Sequence, residues 1–221
     1  MARRVVDYDG AVSRWQPNAR GRLARAALEL FTEQGFAETT VPQITARAGL
    51  TTRTFFRHFA DKREVLFAVE EELPALVARL AADAPASLSP MMVIAYGLVT
   101  VAASRFEGQL EYLRTRRGVI QSDEGLRERE LRKLSTLSDA IRRGFLNRGV
   151  DELTSTLAAQ IAVTVFSVAI SRWLDQDGEQ PLSELVHDTL HALQSVTAQS
   201  LPRQTISGGR ACPPPAASQP G

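Results

Sequence analysis

One stretch constrains this chain more than any other. From Thr39 to Leu66 it reads Thr-Thr-Val-Pro-Gln-Ile-Thr-Ala-Arg-Ala-Gly-Leu-Thr-Thr-Arg-Thr-Phe-Phe-Arg-His-Phe-Ala-Asp-Lys-Arg-Glu-Val-Leu, so three helix starts and a forced reversal are written into it. Thr40 is placed as an N-cap, Pro42 sits in the first turn where a missing N–H costs nothing, and Gln43 stands three residues after the cap to close a capping box. The spacing predicts a short helix over Val41 to Ala48. Gly49 then takes the left-handed conformation that ends a helix and turns the chain, with Leu50 plugging the corner. Thr51 caps a second helix in which Phe55 and Phe59 share one face, leaving Thr52, Arg53, Phe56, Arg57 and His58 turned outward or sideways. Asp61 with Glu64 repeats the capping-box signature, so a third helix is expected from Lys62.

Two helices joined by a tight turn containing glycine are what a reader of the DNA major groove requires. The residues expected to touch double-stranded DNA are Thr40, Thr51, Thr52, Arg53, Thr54, Phe56, Arg57, His58 and Lys62. Lys62, beside a helix N-terminus, is expected to meet a phosphate. The competing reading is a helical hairpin that serves only for packing; the consecutive caps and the outward basic residues favour the reader. The pattern Thr-Val-x-x-Ile-x-x-x-Ala-Gly-Leu-Thr-x-x-Thr-Phe-Phe-x-x-Phe-x-x-Lys-x-x-Leu resembles the DNA-binding domain of TetR-family regulators. Leu-x-x-Ala-Ala-Leu-x-Leu-Phe-x-x-x-Gly-Phe supplies the preceding helix, and the likeness runs from about Arg20 to Leu66. Where that family usually carries Tyr, this chain has Phe56, which loses a phosphate hydrogen bond and keeps an aromatic face for a sugar or a thymine methyl. The resemblance implies a homodimeric transcription regulator, a repressor that a small molecule releases from a near-palindromic operator. Further on, Arg-Arg-Gly-Val-Ile-x-x-x-x-x-Leu-Arg-x-Arg-Glu and Arg-Trp-Leu-x-x-x-Gly are similar to a branch associated with acyl-CoA-like ligands.

Composition supports an all-α fold. The 221 residues are 44% hydrophobic, enough to bury a core, and no stretch alternates apolar and polar residues long enough for a sheet. The net charge of +1 hides an asymmetry: residues 1–62 hold ten Lys or Arg against six Asp or Glu, hence +4, and the remainder holds 16 against 19, hence −3. The basic end is the end with the hairpin. A single cysteine, Cys212, excludes an internal disulfide framework and fits a reducing compartment. No uninterrupted apolar run of membrane-spanning length occurs, and the first residues carry Asp7, Tyr8 and Asp9 where a secretory signal needs an apolar core, so a cytoplasmic protein without membrane contact is expected. Three histidines and one cysteine leave little for catalysis or metal binding. His187 and His191 lie four apart without an evident third ligand, and no phosphate-cradling Gly-rich loop or nucleophile elbow appears, so neither an enzyme nor a cofactor is expected.

The remaining chain divides by periodicity. Residues 1–17 are expected to form a flexible arm, which enters the minor groove or is an ordinary frayed terminus. Residues 18–65 form the DNA-binding domain, 66–201 a ligand-binding and dimerisation domain, and 202–221 a disordered tail rich in Pro, Gly, Ser and Ala. Asn18 is a cap for a helix to Gln34, with Arg20, Arg22 and Arg25 near its start as backbone contacts or a solvated face. From Lys62 to Ala81 a helix is expected with a kink or local break at Pro74. Ser89-Pro90 opens a helix to Phe106, and a shorter helix follows, broken near Gly118. Asp123 to Asn147 is amphipathic, with Leu126, Leu131, Leu134, Leu137, Ile141 and Phe145 inward and salt-bridged arginines outward. An apolar effector, acyl-CoA-like by the resemblance, is expected between Met92, Tyr96, Val99 and Phe106 on one side and Leu134, Leu137 and Ile141 on the other, its acidic group near Arg105 or Arg114 to Arg117. A Met or aromatic stripe of this kind is more often plain core. Asp151 to Trp173 is apolar all round, which implies burial against its own core and a second subunit; with Pro181 to Leu201 it is expected to form a two-fold interface across residues 151–173 and 181–201. The rival to this assignment is a helical-bundle interaction or small-molecule-binding module without sequence-specific DNA binding.

Overall fold

The computed structural model describes residues 19–198, and every regular element among them is helical. The arm, Asn18, Leu201 and the tail lie outside the described residues. In chain order the elements are α1 (Ala19–Gln34), α2 (Val41–Ala48), α3 (Thr52–His58), a 3-10 segment (Glu64–Glu70), α4 (Leu73–Ala82), α5 (Pro90–Val101) continued by a π-turn (Ala102–Phe106), α6 (Leu110–Gln121), α7 (Glu124–Asn147), α8 (Glu152–Asp175) and α9 (Leu182–Thr197).

Two cores organise them. The N-terminal core gathers Leu23, Ala27, Phe31, Ile44, Phe55 and Phe59, and is completed by Val65, Leu66 and Phe67 of the 3-10 segment and by Val119, Ile120 and Leu126 of α6 and α7. The bundle core gathers α4, α5 and α7 to α9 around Phe106, Ile141, Phe145, Val165, Trp173 and Leu185. The reader is therefore seated on the bundle and shares side chains with it.

The helix expected from Lys62 to Ala81 is instead two elements. Pro74 has no N–H and its ring clashes with a preceding helical turn, so a new helix starts at Leu73 with Pro74 in its first turn, where no N–H is needed. Upstream of it Asp61 Oδ1 accepts from the N–H groups of Arg63 and Glu64 at 2.8 and 3.0 Å, but the chain winds as 3-10 helix and not α. The reciprocal half of the capping box is missing because the Glu64 carboxylate turns away toward α7.

Other expectations shift for identifiable reasons. α6 runs unbroken through Gly118. On α5 the inward residues are Val93, Ile94, Leu98 and Val101, whereas Met92 and Tyr96 are 56% and 69% exposed. A helix of nearly uniform apolarity carries no phase information, so its buried face is set by its neighbours. The π-turn then adds a residue to the turn and brings Phe106 inward, 5.0 Å from the Phe166 ring. On α7, Leu131 faces solvent while Leu126, Ile141 and Phe145 are buried. Gly144 marks the closest approach of α7 to α4: a Cβ there would lie 2.6 Å from the Ala78 carbonyl oxygen and 2.8 Å from the Ala81 Cβ.

α8 is capped by Asp151, whose Oδ1 accepts from the Thr154 N–H at 3.0 Å. By length and mean hydropathy α8 would suffice to cross a membrane, although Thr, Ser and Gln interrupt its apolar run and a core helix meets the same criterion. One of its faces, with Ala158, Ala162, Val165 and Ala169, fills the bundle core; the other leaves Leu153, Leu157 and Val168 exposed.

Candidate nucleic-acid interface and effector chamber

The hairpin is built by the caps. Thr40 Oγ1 accepts from the Gln43 N–H at 3.4 Å while Gln43 Oε1 accepts from the Thr40 N–H at 2.8 Å, closing the box. Gly49 ends α2 at φ 62°, and the Arg22 guanidinium of α1 donates to the Ala48 carbonyl, satisfying a helix end that the turn would orphan. Thr51 Oγ1 accepts from the Thr54 N–H at 3.2 Å and pairs with Thr54 Oγ1 at 3.0 Å. Phe55 is fully buried, and Phe56 is held edge-on to it at 5.3 Å while remaining 57% exposed.

The expected DNA-contacting residues thus separate into two groups. Thr52, Arg53, Phe56 and Arg57 form the open face of α3, and neither arginine has a carboxylate partner among the described residues. No Asp or Glu occurs between Thr39 and Ala60, so that face is uniformly cationic. Thr40 and Thr51 are exposed at helix N-termini with their hydroxyls engaged in caps, and Thr54 and His58 are half-buried. Arg47, in contrast, is neutralised by Glu33 at 2.8 and 2.9 Å.

Lys62 corrects the sequence reading. Its ammonium donates to the carbonyls of Phe36, Ala37 and Thr39 at 2.7, 3.1 and 2.9 Å and lies 4.4 Å from the centre of the Phe36 ring. All three donors are committed inside the protein, so Lys62 ties the α1–α2 connection to the 3-10 segment and is not available as a phosphate contact. Burial, with Arg63 adding to it, pulls the ammonium below its ordinary range. Arg20 is half-buried, pairing with Glu71 and lying 5.3 Å from the Phe59 ring, whereas Arg25 is exposed.

The bundle holds a second candidate site. An apolar inner cavity of about 70 Å³ lies between α4, α5, α7 and α8, with Val77, Ile94, Gly97, Leu134, Ile141 and Phe166 on its wall. It shares Leu73, Leu134, Leu137 and Phe166 with an outer chamber of about 580 Å³ whose far wall is Arg116, Arg117, Arg129, Arg132 and Lys133. Of the residues expected to line a ligand site, Leu134, Leu137 and Ile141 border the inner cavity and Phe106 lines the outer chamber. Met92, Tyr96 and Val99 line neither space. Of the arginines expected to meet an acidic group, Arg116 and Arg117 reach the chamber, whereas Arg105 and Arg114 do not line it.

Sequence reasoning missed the contacts that join the two sites. Arg116, only 7% exposed, donates from Nε to the Leu66 carbonyl at 2.7 Å and lies 5.0 Å from the Phe67 ring centre. Arg129 and Lys133 of α7 donate to Glu64 from across the chamber. In the sequence Glu64 reads only as the capping-box partner of Asp61; its actual partners lie 65 and 69 residues downstream, beyond the reach of local pattern.

The family model described as bacterial regulatory proteins, tetR family, matches residues 23–69. The chain is 40% identical over 97 residues to the HTH-type transcriptional regulator TcmR of Streptomyces glaucescens, covering 42% of this chain and 41% of that protein. It spans less than half the length of the curated relatives it matches. In fold it is similar to SmeT, the repressor of the Stenotrophomonas maltophilia multidrug efflux pump SmeDEF, with a TM-score of 0.55 and 20% identity over 80% of this chain and 89% of that one. A fatty acid degradation regulator, FadR of Bacillus halodurans, superimposes with a TM-score of 0.51 and 17% identity over 78% of this chain and 96% of that one. Residues 23–69, which span most of α1, the hairpin of α2 and α3 and most of the 3-10 segment, thus match the N-terminal domain of tetR-family regulators.

Proposed function

We propose that this chain is a sequence-specific transcription regulator, a repressor that binds a near-palindromic operator as a homodimer in the cytoplasm and leaves it when a small molecule fills the bundle. The observation that carries this reading is the face of α3: Thr52, Arg53, Phe56 and Arg57 stand open on a rigid, doubly capped hairpin without a carboxylate. Such a face offers guanidinium forks for guanine edges and an aromatic ring for a thymine methyl or a sugar. The modest charge excess of the reader favours two copies acting together. The exposed apolar residues Leu153, Leu157 and Val168 of α8 and Val196 of α9 support pairing through those two helices.

The effector we assign is an apolar molecule with an acidic group, of which acyl thioesters and free fatty acids are the first to test. An apolar inner cavity that shares a wall with a cationic chamber suits that shape. The experiment is a titration of the purified protein against its own upstream DNA and a scrambled duplex, at stated salt. Selective binding with two half-sites about 34 Å apart is expected. Equal affinity for both duplexes would leave an interaction or small-molecule module in its place.

A further inference from the structure

The cationic wall of the outer chamber already holds a carboxylate, and it belongs to the protein. Glu64 extends from the 3-10 segment that leaves the reader, its side chain 21% exposed. Arg129 donates to Oε1 from Nε at 2.7 Å and again from Nη2, and Lys133 donates to Oε2 at 3.1 Å. The two cations project one turn apart from α7. Arg129 also faces Asp61 at 3.6 Å, so a single guanidinium holds both the cap and the first residue of the 3-10 segment. The chamber lining has five cations, Arg116, Arg117, Arg129, Arg132 and Lys133, against three carboxylates, Glu64, Glu71 and Glu130.

We infer that Arg129 and Lys133 are the head-group subsite for an amphipathic carboxylate, which binds there by exchange with Glu64 and so unties the reader from α7. The inference rests on the proposed reading that the bundle senses a small molecule. Exchange conserves the charge-assisted hydrogen bonds: the guest carboxylate takes two cations that Glu64 gives up, and Glu64 regains water at the chamber mouth. The net driving force is then the burial of the guest's chain against Leu73, Leu134, Leu137 and Phe166, which scales with the apolar area removed from water. A neutral amphiphile gains the same burial and leaves the Glu64 pair intact. The guest thus has differential affinity for two states of the 3-10 segment, which is the condition for a ligand to shift them.

The test uses the full chain with dodecanoate and dodecanol as probes, binding followed by calorimetry and backbone amide exchange followed over residues 64–70. Dodecanoate is expected to bind and to speed exchange in that segment, and dodecanol to bind without doing so. Removing the internal competitor by Glu64→Gln should tighten dodecanoate at least about tenfold and leave dodecanol unchanged, given what a charge-assisted hydrogen bond contributes. Lys133→Gln should weaken dodecanoate selectively, which keeps the test open should Glu64→Gln misfold. The exchange is overturned if Glu64→Gln and Lys133→Gln both leave dodecanoate affinity within about twofold, if dodecanol loosens residues 64–70 equally, or if dodecanoate binds no variant at millimolar concentration. Operator titration of the ligand-free protein is a separate measurement, so selective DNA binding with a failed exchange rejects the subsite alone.

Discussion

Arg53 and Lys62 are both cations of the reader, and their surroundings give them opposite work. Arg53 is open, so Arg53→Ala should cost about 1 to 3 kcal/mol at one operator position, read from a set of single-substitution operators, with little change at the others. Lys62 holds three carbonyls, so Lys62→Met should lower the unfolding midpoint of the protein and weaken every operator in step, without changing the salt dependence of binding. A flattened salt slope in that variant would return Lys62 to the phosphate role. Glu64 is the third informative residue. Burial raises its carboxyl pKa, but the Arg129 and Lys133 hydrogen bonds outweigh burial and hold it below the ordinary 4.5. Because the folded value lies below the unfolded one, its stabilisation is complete above the ordinary carboxyl range and is lost as pH falls through the folded value. The urea midpoint of the parent should therefore exceed that of Glu64→Gln near neutrality, and the gap should close in acid.

At the scale of elements, α4 is the helix that leads from the reader into the bundle, and its start is set by Pro74 and its position by Gly144. A methyl at Gly144 would meet backbone, which does not yield as a flexible side-chain end does. Gly144→Ala should cost about 1 to 3 kcal/mol in denaturant unfolding and alter operator affinity by displacing α4, whereas an unchanged operator affinity would separate α4 from the reader's placement. α5 contributes the opposite case. A Cβ at Gly97 meets nothing within 4 Å, and the residue borders the inner cavity. Gly97→Leu should fill that space, leaving operator binding intact and suppressing the response to effector in the same titration. Val99, named by the sequence pattern, does not line the cavity, and its enlargement should leave the response unchanged.

For the whole molecule the decisive helix is α8, which serves two surfaces at once. Ala162 is 3% exposed and borders the cavity, so Ala162→Glu would bury a charge in the protomer's own core and give insoluble or unfolded protein. Leu157 is 54% exposed on the other face, so Leu157→Glu should yield folded monomers with weakened operator binding, as read by light scattering and titration. A Leu157→Glu protein that stays dimeric would place the two-fold interface elsewhere. The two recognition helices, one per protomer, would then act as a rigid pair only through that interface, and the Glu64 link would fix the place of each on its own bundle.

The sequence by itself determined the helical class, the order of the helices, and the hairpin with its caps. These follow from local chemistry: Thr40 with Gln43, Gly49, Thr51, Ser89-Pro90, Asp123 and Asp151 act within a few residues of themselves, and each cap lies where its spacing requires. The outward position of Arg53, Phe56 and Arg57 was legible too, because Phe55 and Phe59 define the phase of α3. What only the tertiary structure decided is which faces look inward on helices that are apolar throughout, so that α5 turns Met92 and Tyr96 to solvent and brings Ile94 and Leu98 to the core. It also decided the destinations of long cationic side chains. Lys62, Arg116, Arg129 and Lys133 find acceptors that are 23 to 69 residues away, and a flexible charged side chain carries no local mark of the carbonyl or carboxylate it will meet.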